Sequence, residues 1–171
     1  MGISFVSKLW PDFVGVHMVW GSINELTTLM GYRQLMAKAG HPVLTDLLSR
    51  IIRDESRHFA FYFQQVERRL ESPRVARIAR FLVERFWAPV GSGVQPAAET
   101  RFLAEYLFSG SDGLVAARKV DDTIRRLPGF SDAPLVEAWL AQQVRTKPAP
   151  VRDAMPQRKP LSQFMSIHAE S

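Results

Sequence analysis

The chain has 171 residues, 46% of them hydrophobic, with 22 Lys+Arg against 17 Asp+Glu and no cysteine. Such a length supports one ordinary domain with a sizeable core. The missing thiols exclude structural disulfides, zinc-thiolate sites, iron–sulfur clusters and thiol nucleophiles. Any metal must be held by imidazole and carboxylate, which suits iron, manganese or zinc.

The net charge of +5 reads as a solvated basic surface, and no nucleic-acid partner is expected. No apolar run reaches the ~18–20 residues that span a bilayer, so no transmembrane segment is expected. The start, Met1 to Trp10, has no basic n-region and no small-residue cleavage site. A cytoplasmic location is the resulting expectation.

The first long helix is predicted from Asp12 to Ala39, with Pro11 before it and Gly40 as its stop. A second opens near Pro42 and runs to Leu70, where Glu71-Ser72-Pro73 breaks it. The link at Gly40-His41 is so short that the two helices should be antiparallel neighbours. A third spans Pro73 to Ala88, with Val75, Ile78, Leu82 and Phe86 as its apolar stripe. Its arginines, Arg74, Arg77, Arg80 and Arg85, read first as a solvated face.

Pro89 to Pro96 is a loop by composition. Two shorter helices follow, Ala97–Phe108 and Gly113–Leu127, separated by Gly110-Ser-Asp-Gly113. A last one occupies Pro134–Arg145. Beyond it, Pro148, Pro150, Pro156 and Pro160 interrupt any helix. The expected division is a helical domain over 1–145 and a disordered tail over 146–171. No Gly-rich phosphate loop, GxSxG elbow or Ser/His/Asp constellation is evident.

One pentapeptide carries chemistry: Asp54-Glu55-Ser56-Arg57-His58. Glu55 and His58 are three apart, so they lie on nearly the same helical face, about one turn apart. One carboxylate and one imidazole can then address a common metal. Spacing alone favours an intrahelical pair in a structural bundle. Context tips the balance toward ligands. Ile51, Ile52, Phe59, Phe61 and Phe63 flank the motif, so the pair should face an interior, where an unpaired charge is costly. The preceding helix offers Glu25 among apolar residues, with the small Gly21 and Ser22 one turn before it. Tyr32 lies two turns after Glu25 and Tyr62 two turns after Glu55. Each tyrosine is either a phenol acting above the site or a core aromatic with a satisfied hydroxyl. His17, eight residues before Glu25, reads as a packed or partly exposed histidine, and His41 and His168 have no carboxylate at ligand spacing. Trp10, Trp20, Trp87 and Trp139 read as core or interface anchors.

Glu25-x6-Tyr32, a short turn, then Glu55-x-x-His58 resembles one half of the ferritin-like superfamily. The string Asp-Glu-Ser-Arg-His is similar to the signature of its oxygen-activating members, the acyl-carrier-protein desaturases and bacterial multicomponent monooxygenases. Asn24-Glu-Leu-Thr-Thr, Gly40-His-Pro-Val-Leu and Phe86-Trp-Ala-Pro-Val-Gly-Ser-Gly-Val resemble a desaturase-like family of the same superfamily. The resemblance covers about residues 12–130. It implies an all-α, ferritin-like helical bundle with additional C-terminal helices. It makes Glu25, Glu55 and His58 metal ligands, with Asp54 and Arg57 steadying the ligand imidazole. From their position along the helices, Tyr32 and Tyr62 are the candidate catalytic residues, phenols able to hydrogen-bond a ligand or an oxygen species above the site. The implied cofactor is iron, two ions per completed site, with manganese fitting the same donors. The implied activity is O2-dependent oxidation of an acyl chain or similar substrate, with an acidic acyl carrier protein as a partner for the arginine face.

A complete di-iron site takes two Glu and two Glu-x-x-His sets. Glu55 is the only Glu here with His three residues on, so the chain supplies one half of the ligands. Relative to the resembled family it lacks the first helix pair. Three expectations follow: a homodimer completes the site, a separate chain carries the missing pair, or the chain is truncated. The alternative to an oxidoreductase is therefore a non-catalytic helical dimer or a truncated relative without turnover.

Overall fold

Residues 13–145 are described by the computed structural model, and the described residues form six helices and no strand. They are α1 (Phe13–Ala39), α2 (Pro42–Arg69), α3 (Pro73–Phe86), α4 (Ala97–Phe108), α5 (Gly110–Ile124) and α6 (Leu135–Arg145). The all-α expectation holds. Trp10, His168 and the expected tail lie outside the described residues. No helix among the described residues is long and apolar enough to cross a membrane.

α1 is the centre of the arrangement. Its apolar residues lie all round it, and it packs against α2, α3, α4 and α5. Val19 and Ile23 are fully buried there. α2 runs antiparallel to it. Gly15 faces Arg69, Gly21 faces Tyr62, and Ser49 Oγ lies 3.6 Å from the Met36 sulfur. The reversal takes two residues. Gly40 adopts φ +57°, and His41 Nδ1 accepts from the Leu44 N–H at 3.4 Å as the N-cap of α2. α2 packs chiefly on α1 and buries only Leu48 and Val66. Among the described residues no helix covers its outer face.

α3 begins with Pro73 at its first position and buries Val75, Ala76, Ala79 and Val83. Ile78 and Leu82 pack at the edge of this core. Phe86, expected in the stripe, is exposed because the helix ends there and Trp87 turns inward instead. The Trp87 indole donates to Asn24 Oδ1 at 2.9 Å, tying the end of α3 to the middle of α1. Arg80 is not simply solvated. It donates to Glu84, to the Gly129 carbonyl at 3.1 Å and to Asp132, fastening α3 to the loop before α6.

α5 starts at Gly110, three residues earlier than its spacing predicts. Ser109 alone separates it from α4. Two glycines make so short a corner possible. Gly110 has φ +73°, and a Cβ on Gly113 would lie 2.3 Å from the Phe108 carbonyl carbon. Fully buried Asp121 of α5 then caps α6 from outside. Its two carboxylate oxygens accept from the Val136 and Glu137 N–H groups at 2.9 and 3.0 Å. Those first-turn donors have no partner within their own helix. The core runs from Val19 and Ile23 through Val83 to Val120, Ile124 and Phe130.

Candidate metal centre

Glu25 enters from the middle of α1, and Glu55 and His58 come from the facing stretch of α2. One ligand atom from each lies within 4.8 Å of the other two. His58 Nδ1 is 3.3 Å from Glu55 Oε2 and 3.9 Å from Glu25 Oε2. The i,i+3 step places Glu55 and His58 on one side of α2. The antiparallel register of the pair sets Glu25 opposite them.

The cluster is sheltered at its root and open at its rim. The Glu25 and Glu55 side chains are 24% and 20% exposed, whereas His58 is 61% exposed. The expectation of an interior site therefore holds only for the carboxylates. His58 is open because no described helix covers the outer face of α2. Ile52, Phe59 and Phe63 do pack on the core, and Phe61 points outward.

Two carboxylates held this close disfavour double ionisation. Burial pushes the Glu25 carboxyl up to about 7. A hydrogen bond with Glu55 and its charge push the same way, and His58 opposes them. A divalent cation reverses this balance, since it favours both carboxylates ionised and the imidazole neutral. The donor set, two carboxylates and one imidazole, fits iron, manganese or zinc. Three protein ligands also leave coordination positions for other groups.

The remaining sequence-predicted residues are distributed differently. Asp54 is held by Arg57 at 3.2 Å on the solvent side of α2. In the single chain this carboxylate serves the guanidinium one turn away. Tyr62 is half-buried, and its ring fills the space that Gly21 leaves. A Cβ there would sit 2.6 Å from Tyr62 Cε1. The room beside Glu25 is thus occupied by an aromatic ring. Ser22, on the same turn, is fully buried. Tyr32 lies two turns beyond Glu25 on the same face of α1 and lines a cleft.

That cleft was not legible in the sequence. It has a volume of about 410 Å³ and is overwhelmingly apolar. Thr28 and Tyr32 of α1, Leu103 and Leu107 of α4, Val90 of the preceding loop and Trp139 of α6 are among its walls. The signal available was weak: Phe102 and Tyr106, one turn apart on α4, stack with centroids 6.1 Å apart and stay exposed. Asp121 was also missed. Its only mark is an acidic residue within the buried run Ala117, Val120, Ile124.

No family model, curated protein or solved structure matches this chain.

Proposed function

We propose that the protein is a non-haem metal protein of the ferritin-like type, with Glu25, Glu55 and His58 as half of a dinuclear carboxylate centre. The observation that carries this reading is the convergence of Glu25 from α1 with Glu55 and His58 from α2, all within 4.8 Å. Iron is the preferred ion, with manganese as a second fit. A second copy of the chain supplies the matching half, bringing the set to four carboxylates and two imidazoles.

The reading extends to an oxidoreductase acting on an acyl chain or a similar apolar substrate. Bound iron would supply the activation of dioxygen and the oxidation of a C–H bond. The chain's own residues do the rest. Glu25 and Glu55 provide negative charge at the root of the site, and His58 provides a neutral nitrogen donor at its rim. Thr28 and Tyr32 connect the Glu25 face of α1 to the apolar cleft. Apolar walls favour an aliphatic group there and exclude water from it. Arg77 and Arg85 are exposed on α3 and give an acidic acyl carrier a surface to meet, whereas Arg80 is engaged within the fold.

The test is metal loading of the purified chain under anaerobic conditions with Fe(II), followed by elemental analysis. The reading expects about one ion per chain, two in a completed site. It expects Glu55→Ala and His58→Ala to lose that iron while keeping their helical circular dichroism. Absence of stoichiometric iron overturns it and leaves a non-catalytic helical protein.

A further inference from the structure

The apolar cleft beside Tyr32 has the make-up of a small-molecule site. Its volume of about 410 Å³ lies within the range of about 300–1,000 Å³ that such sites occupy. Its walls come from α1, the loop before α4, α4 and α6. None comes from α2, the helix that carries Glu55 and His58. Gly31 keeps the space open. A Cβ there would meet Leu107 Cδ1 at 3.5 Å, and Leu107 is itself a wall. A longer side chain at Gly31 would therefore grow into the cleft.

The lining sets the class of ligand. No Asp, Glu, Lys, Arg or His is among the walls. Lys38 lies 5.8 Å from the centre of the Tyr106 ring but is not a wall itself. A carboxylate or phosphate inside the cleft would lose its water and find no counter-charge there. The polar groups that do line it are neutral. The Thr27 hydroxyl is engaged, donating to the Ile23 carbonyl at 2.7 Å. The hydroxyls of Thr28, Tyr32 and Thr100 have no hydrogen-bond partner among the described residues, so they are free to meet a hydroxyl or carbonyl of a ligand.

Shape narrows the class further. Tyr32, Phe102, Tyr106, Phe108 and Trp139 all line the cleft. Phe102 and Tyr106 lie 16° from parallel with centroids 6.1 Å apart, and they form a flat apolar side at the exposed mouth. Aromatic faces match another ring, whereas a flexible chain must also give up its torsional freedom to bind. We infer that the cleft binds a neutral, flat ring system bearing a hydroxyl or carbonyl group, and that it does so without the metal. The inference rests on the reading above in taking this cleft as the place of the apolar substrate, which it narrows from an acyl chain to a rigid ring.

Fluorescence titration of the full chain in EDTA with prodan, a neutral naphthyl ketone dye, tests this. The expected result is saturable binding of one dye per chain. Acetylnaphthalene should displace the dye at concentrations roughly ten-fold or more below those that dodecanoate needs. Gly31→Leu fills the cleft, and Leu103→Lys places a charge on a wall that is already exposed, so the second should keep its helical circular dichroism. Each should weaken dye binding by roughly ten-fold or more. Absence of saturable binding in EDTA overturns the inference, as does binding indifferent to both substitutions. Dodecanoate displacing the dye as well as acetylnaphthalene does overturns the ring class and returns the cleft to an acyl chain. The iron analysis above is decided separately, because the dye titration is read without metal.

Discussion

Glu25 and His58 sit on different helices, yet Glu25 Oε2 stands 3.9 Å from His58 Nδ1. The antiparallel turn at Gly40-His41 creates that proximity, and it fixes the chemistry of both groups. Burial and Glu55 hold the Glu25 carboxyl at about 7, so the metal-free cluster keeps a proton under mildly acidic conditions.

A carboxyl with a raised folded-state pKa binds its proton more tightly in the folded chain than in the unfolded one. Its contribution is fully present below the ordinary value of 4.5 and is lost as pH rises through about 7. Thermal melts in EDTA should therefore show stability falling across that window. Glu25→Gln should flatten the slope and melt higher than wild type at pH 8. With manganese the ion displaces the proton, so calorimetry in buffers of different ionisation enthalpy should detect proton release at pH 6 that fades by pH 8.5. A Glu25→Gln variant that melts lower than wild type at pH 8 in EDTA would count against this assignment.

Asp121 predicts the largest stability loss among the polar residues. Its removal in Asp121→Ala leaves two N–H groups of α6, the buried one of Val136 and the part-buried one of Glu137, without an acceptor. The expected cost is about 2–4 kcal/mol, and Asp121→Asn, which keeps one acceptor oxygen, should cost about half as much. Urea denaturation at neutral pH measures both. Equal losses for the two variants would argue against capping as the cause.

Two glycines of α1 should respond to alanine with opposite signs. At Gly21 the new methyl meets the Tyr62 ring at 2.6 Å. The displaced ring should outweigh the gain in helix propensity and give a net loss of about 1 kcal/mol. At Gly31 the nearest atom is Leu107 Cδ1 at 3.5 Å, an ordinary contact. Gly31→Ala should stabilise by about 0.5–1 kcal/mol and slightly narrow the cleft. Paired thermal melts decide the signs.

The Arg80 guanidinium holds the Asp132 carboxyl below its ordinary range. A depressed carboxyl contributes stability above the ordinary value and loses it as pH falls through the folded value. The difference in melting temperature between wild type and Arg80→Ala should therefore shrink on acidification below about pH 4. A difference independent of pH would mean that the Gly129 carbonyl, not Asp132, is the partner that matters.

The long helices, the turns at Gly40 and Pro73, and the candidate donors Glu25, Glu55 and His58 were legible in the sequence because each is marked locally. Apolar periodicity, Gly40, Pro42 and Pro73 mark the ends of α1, α2 and α3. The Glu55–His58 step sets two ligands on one face of a helix whatever surrounds it. The one-residue corner at Ser109 was not legible, since Gly110 and Gly113 look like loop composition until the backbone of Phe108 is beside them. Burial, titration and company depend on which elements become neighbours. Only the tertiary structure could leave His58 open, lay Tyr62 on Gly21, turn Asp121 toward α6 and form the cleft beside Tyr32. The sequence thus determined which donor atoms α1 and α2 can offer. The packing of α1 among its neighbours, with α2 covered on one side only among the described residues, decided how sheltered those atoms are.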